Sequence, residues 1–270
     1  MSKVKALVIT GYGTNCEIEM AHACKLAGAE ATIAHMSDIV SGRVRIPDYN
    51  FLNLPGGFLD GDDLGSGQVD SVRLKHARVH ATGRTIFEEI MTFVERGGAI
   101  LGICNGFQVQ VKTGLLPGGP FGQRRVSLSF NDSAKFEDRW VTLKINDKSP
   151  CIFTKGIDRL YVPVRHGEGK FICDSAATLA EIMDNNLAAV FYCDENGQPT
   201  MDYPLNPNGA TNAIAGICDH SGRIFGLMPH PEAFCHPTNH PRWTRMASLP
   251  TKGEGLAIFE NAVKYLAQNL

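Results

Sequence analysis

The sequence predicts an α/β fold: an open, mostly parallel sheet with helices on both faces and antiparallel strands appended to it. Three observations carry this expectation. From Lys3 to Gln108 short apolar runs alternate with segments of helical period, and glycine-rich turns join them. The run at residues 99–103 is apolar without alternation, as a strand covered on both faces must be. Past that point the texture changes to short strand-like pieces with no linker composition between them, so they extend the same sheet rather than build a second domain.

Taken in order, residues 3–10 read as the first strand, 11–15 as a turn and 16–26 as a helix, with Asn15 as its N-cap and Gly28 as its stop. The turn Gly11-Tyr12-Gly13-Thr14-Asn15-Cys16 begins like a dinucleotide fingerprint. Cys16 stands where the third glycine belongs, however, and no acid marks a second strand, so a plain strand-to-helix turn is the reading. Strands follow at residues 30–36 and 49–54, the latter running into Pro55-Gly56-Gly57-Phe58, where paired glycines allow close backbone approach to a ligand. Residues 59–68 are acidic and glycine-rich, which predicts a surface loop, and residues 85–96 form a helix whose apolar face is Ile86, Ile90, Phe93 and Val94. The strand at 99–103 leads into another helix through Phe107, Val109 and Val111. Strand-like pieces come next at 124–130, 140–145, 160–164 and 188–193, then a hairpin of 214–218 and 223–228 turning on Asp219-His220-Ser221-Gly222. An amphipathic helix at 254–266 closes the layer.

A net charge of −2 leaves no basic footprint for nucleic acid and no cationic face for a membrane. The apolar run near the amino terminus is too short for a signal peptide, and no run approaches a membrane span. Eight cysteines lie scattered without a C-x-x-C pair, so neither a disulfide framework nor a metal site is expected. They read as reduced thiols of a cytoplasmic protein.

One cysteine differs from the rest. Gly102-Ile103-Cys104-Asn105-Gly106 is G-x-C-x-G, a nucleophile elbow with sulfur in place of oxygen, at the carboxyl end of a strand and the amino end of a helix. Free N–H groups and a partial positive charge there favour a thiolate and a developing oxyanion. Glycine-flanked cysteines also occur where a strand merely turns around a small buried thiol, so partners must decide. At its ordinary pKa only about 3% of a thiol is ionised near neutrality, and a nucleophile therefore needs a base. Of nine histidines, His230 follows an apolar strand as Cys104 does, and has an acid two residues on. In an extended segment Glu232 would face the same way and orient the imidazole toward Cys104, while Pro229 and Pro231 stiffen the segment. Rival clusters are weaker: Cys235, His236 and His240 are interrupted by prolines and read as a solvated loop, and His76 with His80 reads as an exposed helical face. No phosphate-binding loop of the G-x-x-x-x-G-K-[ST] type is present.

Residues 55–58, 102–108 and 228–232 together resemble the class I, or triad, glutamine amidotransferases, whose sheet is flavodoxin-like. Residues 13–17, 131–137, 166–169, 203–209 and 222–230 narrow the resemblance to the glutaminase subunits of phosphoribosylformylglycinamidine synthase, and the matches span nearly the whole chain, 1–270, as one amidotransferase domain. The resemblance implies that Cys104 attacks the side-chain amide of glutamine, His230 protonates the departing ammonia and Glu232 orients the histidine. It implies an oxyanion hole from the backbone N–H groups of Gly57 and Asn105, with Gln108 and Phe58 beside the substrate. It further implies no cofactor in this chain. ATP and Mg would belong to a large synthetase subunit that converts formylglycinamide ribonucleotide to its amidine, accompanied by a small accessory subunit. Leu59, Asp60, Ala210, Ala233 and the longer stretch 64–84 depart from the family pattern, and bear on partner contacts and loops rather than on the triad. Two other readings stay open: a glutaminase for a different synthetase, and a noncatalytic or stress-response relative of the DJ-1/PfpI type, which places its acid elsewhere than His-x-Glu.

Overall fold

In a computed structural model that describes residues 3–269, the elements alternate as the sequence requires. In chain order they are β1 (Lys5–Thr10), α1 (Glu17–Leu26), β2 (Glu30–His35), α2 (Met36–Ser41), β3 (Phe51–Leu54), α3 (Gln68–His76), α4 (Ile86–Glu95), β4 (Ala99–Ile103) and α5 (Asn105–Thr113). The second half supplies β5 (Val126–Ser129), β6 (Glu137–Ile145), β7 (Arg159–His166), β8 (Lys170–Cys173), α6 (Ala176–Asp184), β9 (Ala188–Tyr192), β10 (Ile214–Cys218), β11 (Ile224–Leu227) and α7 (Leu256–Asn269). Nine strands form one sheet in the order β2-β1-β3-β4-β11-β10-β9-β6-β7. The first five pair in parallel, and β10, β9, β6 and β7 continue antiparallel.

The chain steps outward from β1 to β2 and then returns to place β3 on the other side of β1. That reversal opens a crevice beyond the carboxyl ends of β1 and β3, where ligands of such sheets bind. The Gly13–Cys16 turn and the Gly56-Gly57 turn meet there: Phe58 N–H donates to Gly13 O at 2.7 Å and Asn15 N–H to Gly56 O at 3.3 Å. Strand β4 is next in the sheet, and α5 behind it is buried over all its residues. Thr113 Oγ1 donates to Val109 O at 2.8 Å and Gln110 Nε2 to Phe225 O at 3.2 Å, while Gln110 Oε1 is buried without a hydrogen-bond partner among the described residues.

Several expectations need correction. Helix α1 starts at Glu17, and Asn15 does not cap it; its Oδ1 accepts instead from the Cys16 thiol at 3.1 Å. The later strands do not all join the main sheet, because β5 and β8 form a separate two-stranded ladder. Neither β8 nor α6 was expected. His80 lies beyond the end of α3, so His76 and His80 share no helical face. Cys235 is buried and His240 packs against Trp140 and Tyr161, with ring centroids 5.9 and 5.4 Å apart, leaving only His236 of that trio in solvent. Helix α4 follows its prediction closely, capped reciprocally by Thr85 and Glu88 with Ile86, Ile90, Phe93 and Val94 buried.

The acidic stretch 59–68 is pinned rather than free. Leu59 is buried, Asp60 pairs with Arg73 at 2.7 Å, and Ser66 N–H donates to Glu168 Oε2 at 3.3 Å. Behind it Asp70 is fully buried, and neither of its oxygens accepts a hydrogen bond from the described residues. Burial, and then the neighbouring Asp60 carboxylate, push its pKa up to about 8. Between the unfolded value of about 3.9 and the folded one, the native chain keeps a proton that the unfolded chain has lost. Native stability therefore falls as pH rises through that window, by up to about 1.4 kcal/mol per pH unit, and levels off above it. Asp70→Asn is expected to remove this loss, so that its stability relative to wild type is a few kcal/mol greater at pH 8.5 than at pH 4. Urea unfolding of both proteins at the two pH values measures it, and parallel pH dependences would refute it.

Candidate active site

Strand β4 ends at Cys104, whose φ of 53° and ψ of −106° lie outside the conformations a side-chain-bearing residue prefers. Such a residue costs about 1–3 kcal/mol and persists only when its surroundings impose it. They do: Cys104 N–H donates to Leu227 O at 2.9 Å, and a Cβ on Gly106 would run into the carbonyl of Leu54. The elbow glycines are thus required by the close seating of α5 on the sheet. Asn105 opens that helix, so its N–H is one of the donors a helix leaves unpaired.

Strand β11 lies parallel to β4, with Leu227 opposite Ile103, so both strands deliver their next residues to the same edge of the sheet. His230 follows three residues after Leu227 and is anchored by its own N–H on Pro163 O at 2.8 Å. His230 Nδ1 and Glu232 Oε1 are 2.6 Å apart, and both side chains are buried. The pairing arises differently from the expectation of an extended segment: Pro231–Ala233 is a tight single turn that folds Glu232 back onto the ring. Burial works to lower the pKa of His230, but the charges of Glu232 and then Cys104 outweigh it and hold the pKa well above the ordinary imidazole value. Its Nε2 has no partner among the described residues, leaving that nitrogen for proton transfer.

Cys104, His230, Gly57, Phe58 and Gln108 line one cleft of about 370 Å³. Gly57 and Thr14 face each other as the non-hydrogen-bonded pair of a short antiparallel bridge, so the Gly57 N–H is left out of that ladder. Its φ of 134° belongs to glycine. Phe58 is half exposed at the cleft mouth. The Asn105 and Gln108 side chains form a chain of their own: Leu59 N–H donates to Asn105 Oδ1 at 3.3 Å, Asn105 Nδ2 to Gln108 Oε1 at 3.1 Å, and Gln108 Nε2 to Glu168 O at 2.7 Å. Both polar ends of Gln108 are therefore engaged in holding the wall.

Other residues around the cleft had no role in the sequence reading. His166 is fully buried, and burial followed by the charge of His230 pushes its pKa down to about 3, so it is a neutral imidazole. Asn131 Oδ1 can only accept, which puts the His166 proton on Nδ1, 3.1 Å away, and leaves Nε2 to face Asn208 Nδ2 at 3.5 Å. Asn208 Nδ2 also donates to the Tyr192 hydroxyl at 3.1 Å, and Asn131 Nδ2 to His166 O at 2.8 Å. The motifs at 131–137, 166–169 and 203–209, known from the sequence only as matches, thus meet in one buried polar layer beside the cleft. Cys16 is the second surprise, its Sγ 4.0 Å from His230 Nδ1 across a separation of 214 residues.

A cysteine in a strained elbow, a buried histidine–carboxylate pair and unused N–H groups around one cleft are the equipment of an enzyme that cleaves amides through a thioester, and the chain belongs to the glutamine amidotransferases: residues 3–266 match the CobB/CobQ-like glutamine amidotransferase domain family. Within that class it falls among the PurQ subunits of phosphoribosylformylglycinamidine synthase. It is 46% identical to the one from Dehalococcoides mccartyi over 99% of this chain and 100% of that protein, and 44% identical to the one from Methanococcus maripaludis over 97% of each. Among solved structures, PurLQS from Thermotoga maritima contains a chain that superposes with a TM-score of 0.70 and 27% identity, covering 98% of this chain and 100% of that one. A glutamine amidotransferase from the same organism shares the fold, at a TM-score of 0.51 and 19% identity over 91% of this chain and 82% of that one.

Proposed function

We propose that this chain is the glutaminase of a phosphoribosylformylglycinamidine synthase, with Cys104, His230 and Glu232 as its triad. The observation that carries the reading is the placement of Cys104, in its strained elbow, in one cleft with a histidine whose free Nε2 is buried and whose Nδ1 is held by Glu232. Cys104 sulfur attacks the amide carbon of glutamine, and the carbonyl oxygen takes up negative charge against the N–H groups of Gly57 and Asn105. When the tetrahedral adduct collapses, the C–N bond breaks and the nitrogen leaves as ammonia with the proton held on His230 Nε2. Water then attacks the glutamyl thioester, giving its proton to His230, and the C–S bond breaks to release glutamate and regenerate Cys104. Glu232 fixes the ring so that Nε2 does both proton transfers. Phe58 and the stem of Gln108 form walls for the substrate side chain.

The ammonia is used elsewhere. The chain has no phosphate-binding loop, and free ammonia is mostly protonated near neutrality, so release into solvent wastes it. The reading therefore includes a large synthetase subunit, holding ATP and Mg, that turns formylglycinamide ribonucleotide into its amidine, and a small accessory subunit. The naming of the Thermotoga maritima structure as PurLQS supports such an assembly. Among the described residues no helix is long and apolar enough to cross a membrane; placing the reaction in the cytoplasm is part of the proposed reading. Docking of the synthetase is expected to order the glycine-rich turn around Gly57 and raise glutamine hydrolysis by about tenfold or more over the isolated chain. Glutamate release, measured for the chain alone and then with the synthetase and its nucleotides, tests this. Full activity in isolation, unchanged by the partner, would refute the coupling, and no activity in either state would refute the glutaminase.

A further inference from the structure

Cys16 is not needed for the mechanism above, yet its thiol shares the same imidazole nitrogen as Glu232. The Cys16 sulfur, a nitrogen of His230 and a carboxylate oxygen of Glu232 all lie within 4.8 Å of one another. Sγ stands 4.0 Å from Nδ1, and Nδ1 stands 2.6 Å from Oε1. The second oxygen of Glu232, a residue only 4% exposed, is buried with no hydrogen-bond partner among the described residues. Gly56 keeps the space between these groups open: a Cβ there would come within 3.2 Å of Cys16 Sγ and 2.8 Å of His230 Cε1.

We propose that Cys16 Sγ, His230 Nδ1 and Glu232 form a binding site for a borderline-soft divalent cation of the Zn²⁺ class, and that its occupation shuts the glutaminase off. The donor set is one sulfur, one imidazole nitrogen and one carboxylate, which suits Zn²⁺ and disfavours Mg²⁺ or Ca²⁺. Tetrahedral Zn²⁺ with ordinary bond lengths needs donor separations of roughly 3.3–3.7 Å, so the sulfur must approach the ring and the carboxylate withdraw from it, each by under about 1 Å. Three protein ligands leave the fourth position for water. On binding, Cys16 loses its thiol proton to solvent. As Nδ1 bonds the metal, the ring proton facing Glu232 is displaced to solvent, and the remaining ring proton stays on Nε2. Nε2 then has no lone pair for the proton of the attacking thiol or water, and Glu232 is occupied by the ion. The site therefore disables the base without touching Cys104.

The inhibition rests on the triad reading, but the binding does not, and each has its own readout. Cd²⁺, a spectroscopic stand-in for Zn²⁺, is titrated into the full-length chain while the thiolate-to-metal absorption in the ultraviolet is followed. Cys104→Ala is expected to keep a band that saturates at one ion per chain. Adding Cys16→Ala, or Cys16→Ser should the alanine variant not fold, is expected to weaken binding by more than a hundredfold, beyond the roughly 10–100-fold typical of losing a group that only supports a ligand. A band lost with Cys104→Ala but kept with Cys16→Ala, or no band in either, would overturn the site. In the assembled synthetase, Zn²⁺ is expected to block glutamine-dependent but not ammonium-dependent turnover, reversibly on chelation. The Cys16 variant, normalised to its own chelated activity, is expected to need Zn²⁺ higher by more than about a hundredfold. Equal sensitivity of the two proteins would overturn the regulatory half even if the spectroscopic site were found.

Discussion

Replacing Cys104 by alanine is expected to reduce glutamine hydrolysis by about 10⁴-fold or more, the usual cost of deleting a triad nucleophile. Synthesis driven by added ammonium salt in the same assembly should persist, because the chemistry of the acceptor is assigned to the synthetase. The fold should survive the change. Cys104 contributes little packing beyond its sulfur, which donates to Arg165 O at 3.6 Å. Alanine inherits the same unfavourable φ of 53°, whereas glycine does not. Cys104→Gly should therefore be as inactive as Cys104→Ala but more stable than it, by an amount approaching the roughly 1–3 kcal/mol stored at such a position. Two measurements check this: glutamate release and ammonium-dependent turnover for both variants, and their urea midpoints. Hydrolysis above about 1% of wild type in Cys104→Ala would mean that the nucleophile lies elsewhere. A glycine variant no more stable than the alanine one would mean that the elbow stores no strain.

The centre of this molecule was legible in its sequence because the signals there are local. Residues 99–103 and 214–218 were placed to the residue: each is a short apolar run bounded by glycine or turn residues, and each is buried along its length. Likewise the elbow glycines, the paired glycines after β3 and His-x-Glu after β11 each follow from the few residues around them. Where local chemistry has competing solutions, the reading slipped. Asn15 is a strong capping residue, but the backbone N–H groups of Asn15 and Cys16 are drawn to Gly56 O across the crevice, at 3.3 and 3.4 Å, and the helix starts later. Strand β8 has four residues and pairs only with β5, away from the main sheet, so no long apolar alternation marks it.

Contacts between distant stretches that no local motif announces were not legible. Nothing near Asn131, His166 or Asn208 in the chain shows that the three meet, because their encounter is made by the pairing of β6 with β7 and by the loop after β9. The approach of Cys16 to His230 is of the same kind: it depends on β1 and β11 ending at one edge of the sheet with β3 and β4 between them. A spacing rule for metal ligands searches for neighbours in sequence and passes over such a cluster. The acidic stretch 59–68 is the surface loop that its composition predicts, but its anchoring was not legible for a related reason. Its composition is that of a solvated loop, but Arg73 and Glu168 supply partners from outside it.

Gly57 is where the sequence, the geometry and the proposed chemistry make their second large demand. A Cβ at this position would lie 2.6 Å from Gly13 O and 2.8 Å from both Asn15 N and Thr14 Cα, all backbone atoms that cannot swing aside. The φ of 134° adds a conformational penalty for any other residue. Gly57→Ala must therefore push the turn away from residues 13–15 and rotate the N–H proposed to meet the developing oxyanion. Losing one such donor typically costs about 2.7–4 kcal/mol of transition-state stabilisation, or roughly 10²–10³ in kcat, and the bulkier Gly57→Val should lose at least as much. Because the donor matters most once the oxygen is charged, kcat should carry most of the loss and KM little of it. Alkylation of Cys104 by iodoacetamide forms no oxyanion on a carbonyl carbon, so its rate should stay within a few-fold of wild type and separate this effect from damage to the nucleophile. Glutamine hydrolysis within about tenfold of wild type in Gly57→Ala would remove this N–H from the oxyanion hole, and a parallel collapse of alkylation would show that the turn supports Cys104 itself instead.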